Sequence, residues 1–171
     1  MKSLSEVLEE VTEGAVALLE GVDHAGVTLA WRIGPSRWLD NLESVALAGQ
    51  SRIRRGYGSD SAALRCVAVS ARAGSVFRCD LVPHSVRIDD VVSVSQWPQL
   101  MVAVVEQTPV RSSLWIQLFV DGQRLGALNL FSGIVGGIYE EVEEQAINLA
   151  THAAIALSSA RRGEQFSSAL A

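Results

Sequence analysis

Leu4, Leu8, Val11, Ala15 and Leu18 recur at alternating four- and three-residue spacings, with glutamates on the opposite side. This predicts an amphipathic helix, capped by Ser3 or Ser5, with Gly21 beyond its last turn. From His24 the period changes to two, as Ala25, Val27, Leu29, Trp31 and Ile33 alternate with Gly26, Thr28, Ala30 and Arg32. That is the pattern of a half-buried strand, ended by Gly34-Pro35. A second strand is expected across Glu43–Ala48, with Val45 and Leu47 facing one way. Residues 49–84 carry no clear period, although Ala62–Ala73 has helical spacing at Leu64, Val67, Ala68 and Ala71. A short strand follows at Val86–Asp89, and Trp97-Pro98 opens a helix that runs to about Gln107 before Thr108-Pro109 stops it.

The clearest local signal is Asp121-Gly122 between two apolar runs, Ser113–Val120 and Gln123–Ser132. This predicts a hairpin with a two-residue type I′ turn. In an unbroken register Trp115 then faces Leu128 and Gln117 faces Gly126. Leu114, Ile116, Leu118, Leu125, Ala127 and Asn129 occupy the other side of the sheet. A long helix is expected from about Ile138 to Arg162. It carries one stripe of Val142, Ala146, Leu149, Ala153, Ala156 and Ala160, and a second of Ile147, Ala150, Ala154 and Leu157. One sheet face requires one stripe, so the surplus predicts packing against a partner helix. The expectation is a parallel homodimer in which the N- and C-terminal helices form a four-helix bundle. Leu4, Leu8, Val11, Leu18, Val142, Leu149, Ala153 and Ala156 would form its seam, and burial in a neighbouring domain is the alternative. Antiparallel pairing with helices against the sheet makes the fold class α+β.

Composition narrows the function classes. The chain has 171 residues, 49% hydrophobic and 19% charged, with a mean hydropathy of +0.24. Such a chain folds as one domain and is not disordered. Charges interrupt every apolar stretch before the ~18 residues that a membrane span needs. No secretory signal opens the sequence, so a cytoplasmic location is expected. A net charge of −5 argues against nucleic-acid binding by this domain. The arginine-rich stretch from Arg52 to Arg87 reads either as a solvated face or as an anion or RNA site.

Candidate chemistry is sparse. The sequence holds no glycine-rich phosphate loop, GxSxG, HExxH or Cys/His metal spacing. Cys66 and Cys79 lack a CxxC spacing and read as free thiols, with a reactive pair as the alternative. Among the three histidines, His24 stands at a strand entry, His84 in a loop and His152 on the long helix. Asp89 and Asp90 are neighbours on a strand, point to opposite faces and cannot share a proton. No catalytic, cofactor or metal residues are therefore assigned.

The stretches "SSLWIQLFVDGQRLGALNLFS" and "EEVEEQAINLATHAAIALSSARR" resemble the C-terminal half of a GAF domain. Gln96–Pro98, Val110–Leu114 and the opening Gly21–Ala30 are similar to the same family, nearest to the sensor domains of bacterial GAF–ANTAR antitermination regulators. The resemblance covers about 21–48 and 85–170 and departs from the family over 49–84. It implies a central antiparallel sheet with the terminal helices on one face and a pocket under loops and short helices on the other. Residues 1–20 would form the N-terminal helix, 21–137 the sheet and pocket, and 138–162 the signalling helix. Residues 163–171 would start a connector, with no ANTAR domain following.

The resemblance also implies a non-catalytic small-molecule sensor in transcription regulation, with no membrane contact. An ANTAR domain, rather than this one, would bind RNA. The expected pocket residues are Trp97, Met101, Arg111, Ser113, Trp115 and Gln117. A thiol redox sensor or methionine sulfoxide reductase using Cys66 and Cys79 is one alternative, and a ligand-free dimerisation module is another. The cyclic-nucleotide and bilin signatures of other GAF domains are missing, so no cofactor is expected.

Overall fold

A computed structural model describes residues 2–30, 42–49, 85–95, 102, 104–106 and 108–170; of β2, the backbone alone is described. Helix α1 spans Leu4–Leu18. Of the two candidate caps, Ser3 takes the role. Its hydroxyl accepts from the Glu6 amide at 3.2 Å, while the Glu6 carboxylate accepts from the Ser3 amide at 2.7 Å. Those hydrogen bonds hold the Glu6 carboxyl below its ordinary range. The strands are β1 (His24–Ala30), β2 (Leu42–Gly49), β3 (Ser85–Ile88), β4 (Ser112–Val120) and β5 (Gln123–Ser132). They form one antiparallel sheet in the order β2-β1-β5-β4-β3. Val102 and residues 104–106 are helical, within the helix predicted before Thr108. The Ala62–Ala73 helix and the end of the first predicted strand lie outside the described residues.

The hairpin turn is as expected, with positive φ at Asp121 (50°) and Gly122 (73°). The register beyond it is not. Val120 pairs with Gln123 and Phe119 with Arg124, but Leu118 pairs with Gly126, leaving Leu125 as an extra residue. This β-bulge shifts every later pair by one. Trp115 faces Asn129 instead of Leu128, and Gln117 faces Ala127 instead of Gly126. Ala127 and Asn129 therefore leave the helix side, where the unbroken register puts them. Gly126 permits the bulge. Its φ is +154°, and a Cβ there would overlap the Thr28 carbonyl oxygen on β1.

The final helix, α2, spans Glu140–Leu170, eight residues beyond the predicted end at Arg162. Gly163 is buried within it and Glu164 accepts from the Leu4 amide at 3.0 Å, so contact with α1 supports the extra turns. At the opposite end Tyr139 donates to Glu20 at 2.9 Å, so α1 and α2 lie antiparallel. The main core joins these helices to one sheet face, with Val27, Leu114, Ile116, Leu118, Leu128 and Leu130 on the sheet side.

Both α2 stripes are occupied within the chain. Val142, Ala146 and Ala153 are buried, and so are Ala150, Ala154 and Leu157. Helix α2 contacts β4 along one side and α1 along another. The surplus stripe expected to meet a second chain thus meets α1 of the same chain. Leu8 and Val11 are buried in that core, and Leu4, Leu149 and Ala156 pack against it. Of the seam residues, Leu18 alone points outward, 74% exposed.

Candidate functional site

The opposite sheet face carries a second, smaller core. Trp115, Ala127 and Phe131 pack with Ile88, Val91, Val104 and Val110. Strand alternation and the pairings Trp115–Asn129, Gln117–Ala127 and Thr28–Ala127 add three polar residues to this face. Thr28, Asn129 and Gln117 come from the three central strands β1, β5 and β4, and all are buried. The Asn129 Nδ2 donates to the Thr28 Oγ1 at 3.0 Å, which fixes the amide. Its Oδ1 is shielded and has no hydrogen-bond partner among the described residues. Gln117 is more isolated: it is 3% exposed, and neither Oε1 nor Nε2 has a partner among the described residues. Buried amides are normally paired, and each unpaired group costs about 1–3 kcal/mol. Three polar atoms without a partner among the described residues thus share one face of the sheet.

Ser113, Trp115 and Gln117 of the expected pocket share this face, with Ser113 paired to Ile88 and Phe131. Arg111 stands at the entry to β4. Its Nη1 donates to the carbonyls of Thr108 (3.1 Å) and Val110 (2.7 Å), bracing the loop that leads into β4. Trp97 and Met101 lie outside the described residues, as do Cys66, Cys79 and His84. Thr28 and Asn129 are not among the pocket residues expected from the sequence. The available signal was Gly126, an isolated glycine inside a strand pattern and hence a candidate bulge.

His24 pairs with Phe131 at the end of the same face. Burial lowers its pKa, partly offset by the neighbouring Asp23. The Asp89-Asp90 pair is structural. Asp89 accepts from Arg87 at 3.0 Å, and the Asp90 Oδ1 accepts from the Val92 amide at 2.9 Å, capping a short 3-10 turn at Val91–Ser93. His152 is exposed on α2. Among the described residues no group of three or more His, Cys, Asp and Glu side chains is placed to hold a metal. No described helix is long and apolar enough to cross a membrane.

The sheet also connects to α2 at its edge. Ser85 and Arg87 on β3 donate to the two oxygens of Glu143, at 2.7 and 2.8 Å. A groove between the start of α1 and the last turns of α2 is lined by Lys2, Ser3, Glu6 and Glu164. Its polar groups are engaged within the chain, Lys2 with Glu10 and Ser3 with Glu6.

No family model matches the sequence, and no curated protein does so either. Solved structures do. A domain assigned to a two-component sensor histidine kinase of Sinorhizobium meliloti 1021 superposes with a TM-score of 0.67 at 16% identity, over 94% of each chain. The blue-light absorbing form of the PixJ GAF domain of Thermosynechococcus elongatus gives 0.64 at 14% identity, over 98% of this chain and 92% of that one. A GAF domain/HD domain protein of Geobacter sulfurreducens gives 0.58 at 14% identity, over 92% and 94%. At these identities the likeness speaks for architecture alone: the chain has the α+β fold of GAF domains.

Proposed function

We propose that this chain is a non-catalytic sensory domain that binds a small molecule on the face of Thr28, Gln117 and Asn129. One observation carries the reading, namely the buried Gln117 amide with neither polar atom paired among the described residues. A bound molecule that satisfies it removes a standing cost of folding. The sensory role is supported by similarity to a domain of a sensor histidine kinase and to a light-absorbing GAF domain. Occupancy would reach α2 through β4, whose other face packs on that helix, and through the Glu143 link from β3. The motifs resembling GAF–ANTAR sensors support an output in antitermination in the cytoplasm, where an ANTAR domain, and not this one, would bind RNA.

The same reading has the chain self-associate through its terminal helices. The side chains available are the outward Leu18, Ile147, Ile155 and Phe166, since the rest of the seam is internal.

Thermal-shift screening of nucleotides, amino acids and aromatic metabolites tests the sensor. A ligand at ~100 times its Kd adds ~2.7 kcal/mol, which raises Tm by about 5–11 °C in a chain of this size. A screen with no saturable rise would sink the proposal. Sedimentation of the chain at tens of micromolar, roughly where weak dimers form, tests association, and a monomer there refutes it.

A further inference from the structure

The chemistry of this face also defines a ligand class, and the argument rests on the sensor reading above. We propose that the site takes an uncharged, planar molecule that presents a hydrogen-bond donor and an acceptor side by side, as a lactam or other cis-amide edge does. Gln117 provides the complementary edge. Its Nε2 donates, its Oε1 accepts, both are shielded, and neither has a partner among the described residues. Whichever way the amide is turned, it offers the same adjacent pair. A cis-amide satisfies both atoms at once through two parallel hydrogen bonds, whereas an ether, ester or hydrocarbon leaves at least one unmet.

Asn129 adds direction. Because Thr28 holds its Nδ2, the free Oδ1 is a fixed acceptor for one further N–H or O–H. Shape follows from the neighbours. Trp115 and Phe131 are fully buried aromatics on the same face, with Ala127 directly opposite Gln117. Aromatic neighbours favour a flat ring, which also loses less freedom on binding than a flexible chain.

The polar groups described on this face favour a neutral ligand. Thr28, Ser113, Gln117 and Asn129 are all neutral, and no lysine or arginine side chain is buried with them among the described residues. His24 shares the face at its end, and burial disfavours its protonated form. Among the described residues no cation is placed to replace the hydration that a carboxylate or phosphate would lose here.

The test uses the full chain and three probes built on one ring system: 2-quinolone, 2-methoxyquinoline and quinoline-2-carboxylate. Calorimetry gives affinity, and the Gln117 side-chain NH2 resonance reports contact. Expected is saturable binding of 2-quinolone with a shifted Gln117 resonance, and affinity at least about tenfold lower in Gln117→Leu, the scale of one lost pair of hydrogen bonds. Gln117→Met serves if leucine does not fold. If 2-methoxyquinoline or the carboxylate binds as well as 2-quinolone, with the same dependence on Gln117, the ligand class is wrong while the site stands. If no probe binds, the ligand class is wrong; if in addition the Gln117 NH2 shows contacts to another segment of the chain, the amide is internally satisfied and the sensor reading falls with it.

Discussion

Replacing Gly126 with alanine tests the feature that decides which residues face the site. A Cβ at this position would overlap the Thr28 carbonyl oxygen and lie 2.9 Å from both the Thr28 carbonyl carbon and the Leu29 Cα. These are backbone atoms of β1, which is held between β2 and β5, so no side-chain rotation relieves the overlap. Two costs follow. The φ of +154° is almost closed to residues with a Cβ, at about 1–3 kcal/mol. Separating β1 from β5 near Leu29–Gly126 and Thr28–Ala127 disrupts buried backbone hydrogen bonds, at about 1–3 kcal/mol for each group left unpaired. Together they give about 3–6 kcal/mol, a large share of the 5–15 kcal/mol that typically holds a domain.

Equilibrium unfolding in urea, followed by tryptophan fluorescence, measures the loss, and Tm should fall by about 10 °C or more. Gly14→Ala is the control. It lies within α1 with nothing inside 4 Å of the added Cβ, so the same substitution should stabilise by up to about 1 kcal/mol. If Gly126→Ala unfolds within about 1 kcal/mol of the parent, the bulge accommodates a Cβ and the account of the register is wrong.

Three further outcomes are expected. Leu8→Glu puts a charge into the core between α1 and α2 and should destabilise the chain by several kcal/mol, whereas Val92→Glu, on the exposed 3-10 turn, should leave Tm within about 2 °C; equal effects in thermal denaturation would contradict the assignment of the seam to one chain. Arg87→Met should destabilise by about 1 kcal/mol, because its ion pair with Glu143 is partly buried, and a double-mutant cycle with Glu143→Gln should recover a favourable coupling that weakens in high salt; zero coupling would remove this link between β3 and α2. His24 titrates lower in the folded chain than in the unfolded one, so the unfolded state binds more protons in the window below pH 6.5. Stability from this group should therefore rise as pH increases through that window, and His24→Gln should flatten the slope of Tm against pH; an unchanged slope would refute the role.

Much of the architecture was legible in local pattern. The seven-residue spacing of α1, the alternation of β1 and the Asp121-Gly122 turn each reflect constraints within a few residues, and the elements form where those constraints point. Ser113, Trp115 and Gln117 were readable as one face for the same reason, because alternation along β4 depends on its own backbone. Two other decisions were not local. Whether an apolar stripe on α2 meets another chain or its own α1 depends on where α1 returns, and here contacts at Tyr139–Glu20 and Leu4–Glu164 bring it back antiparallel along the helix. Whether Asn129 and Ala127 face the helices or the site depends on a single extra residue, Leu125, admitted because Gly126 lies against the carbonyl of Thr28. That contact joins residues 98 apart in sequence. Side-chain alternation has a period of two, so one bulge moved every later residue of β5 to the opposite face, and it is the packing of β1 against β5 that decides it.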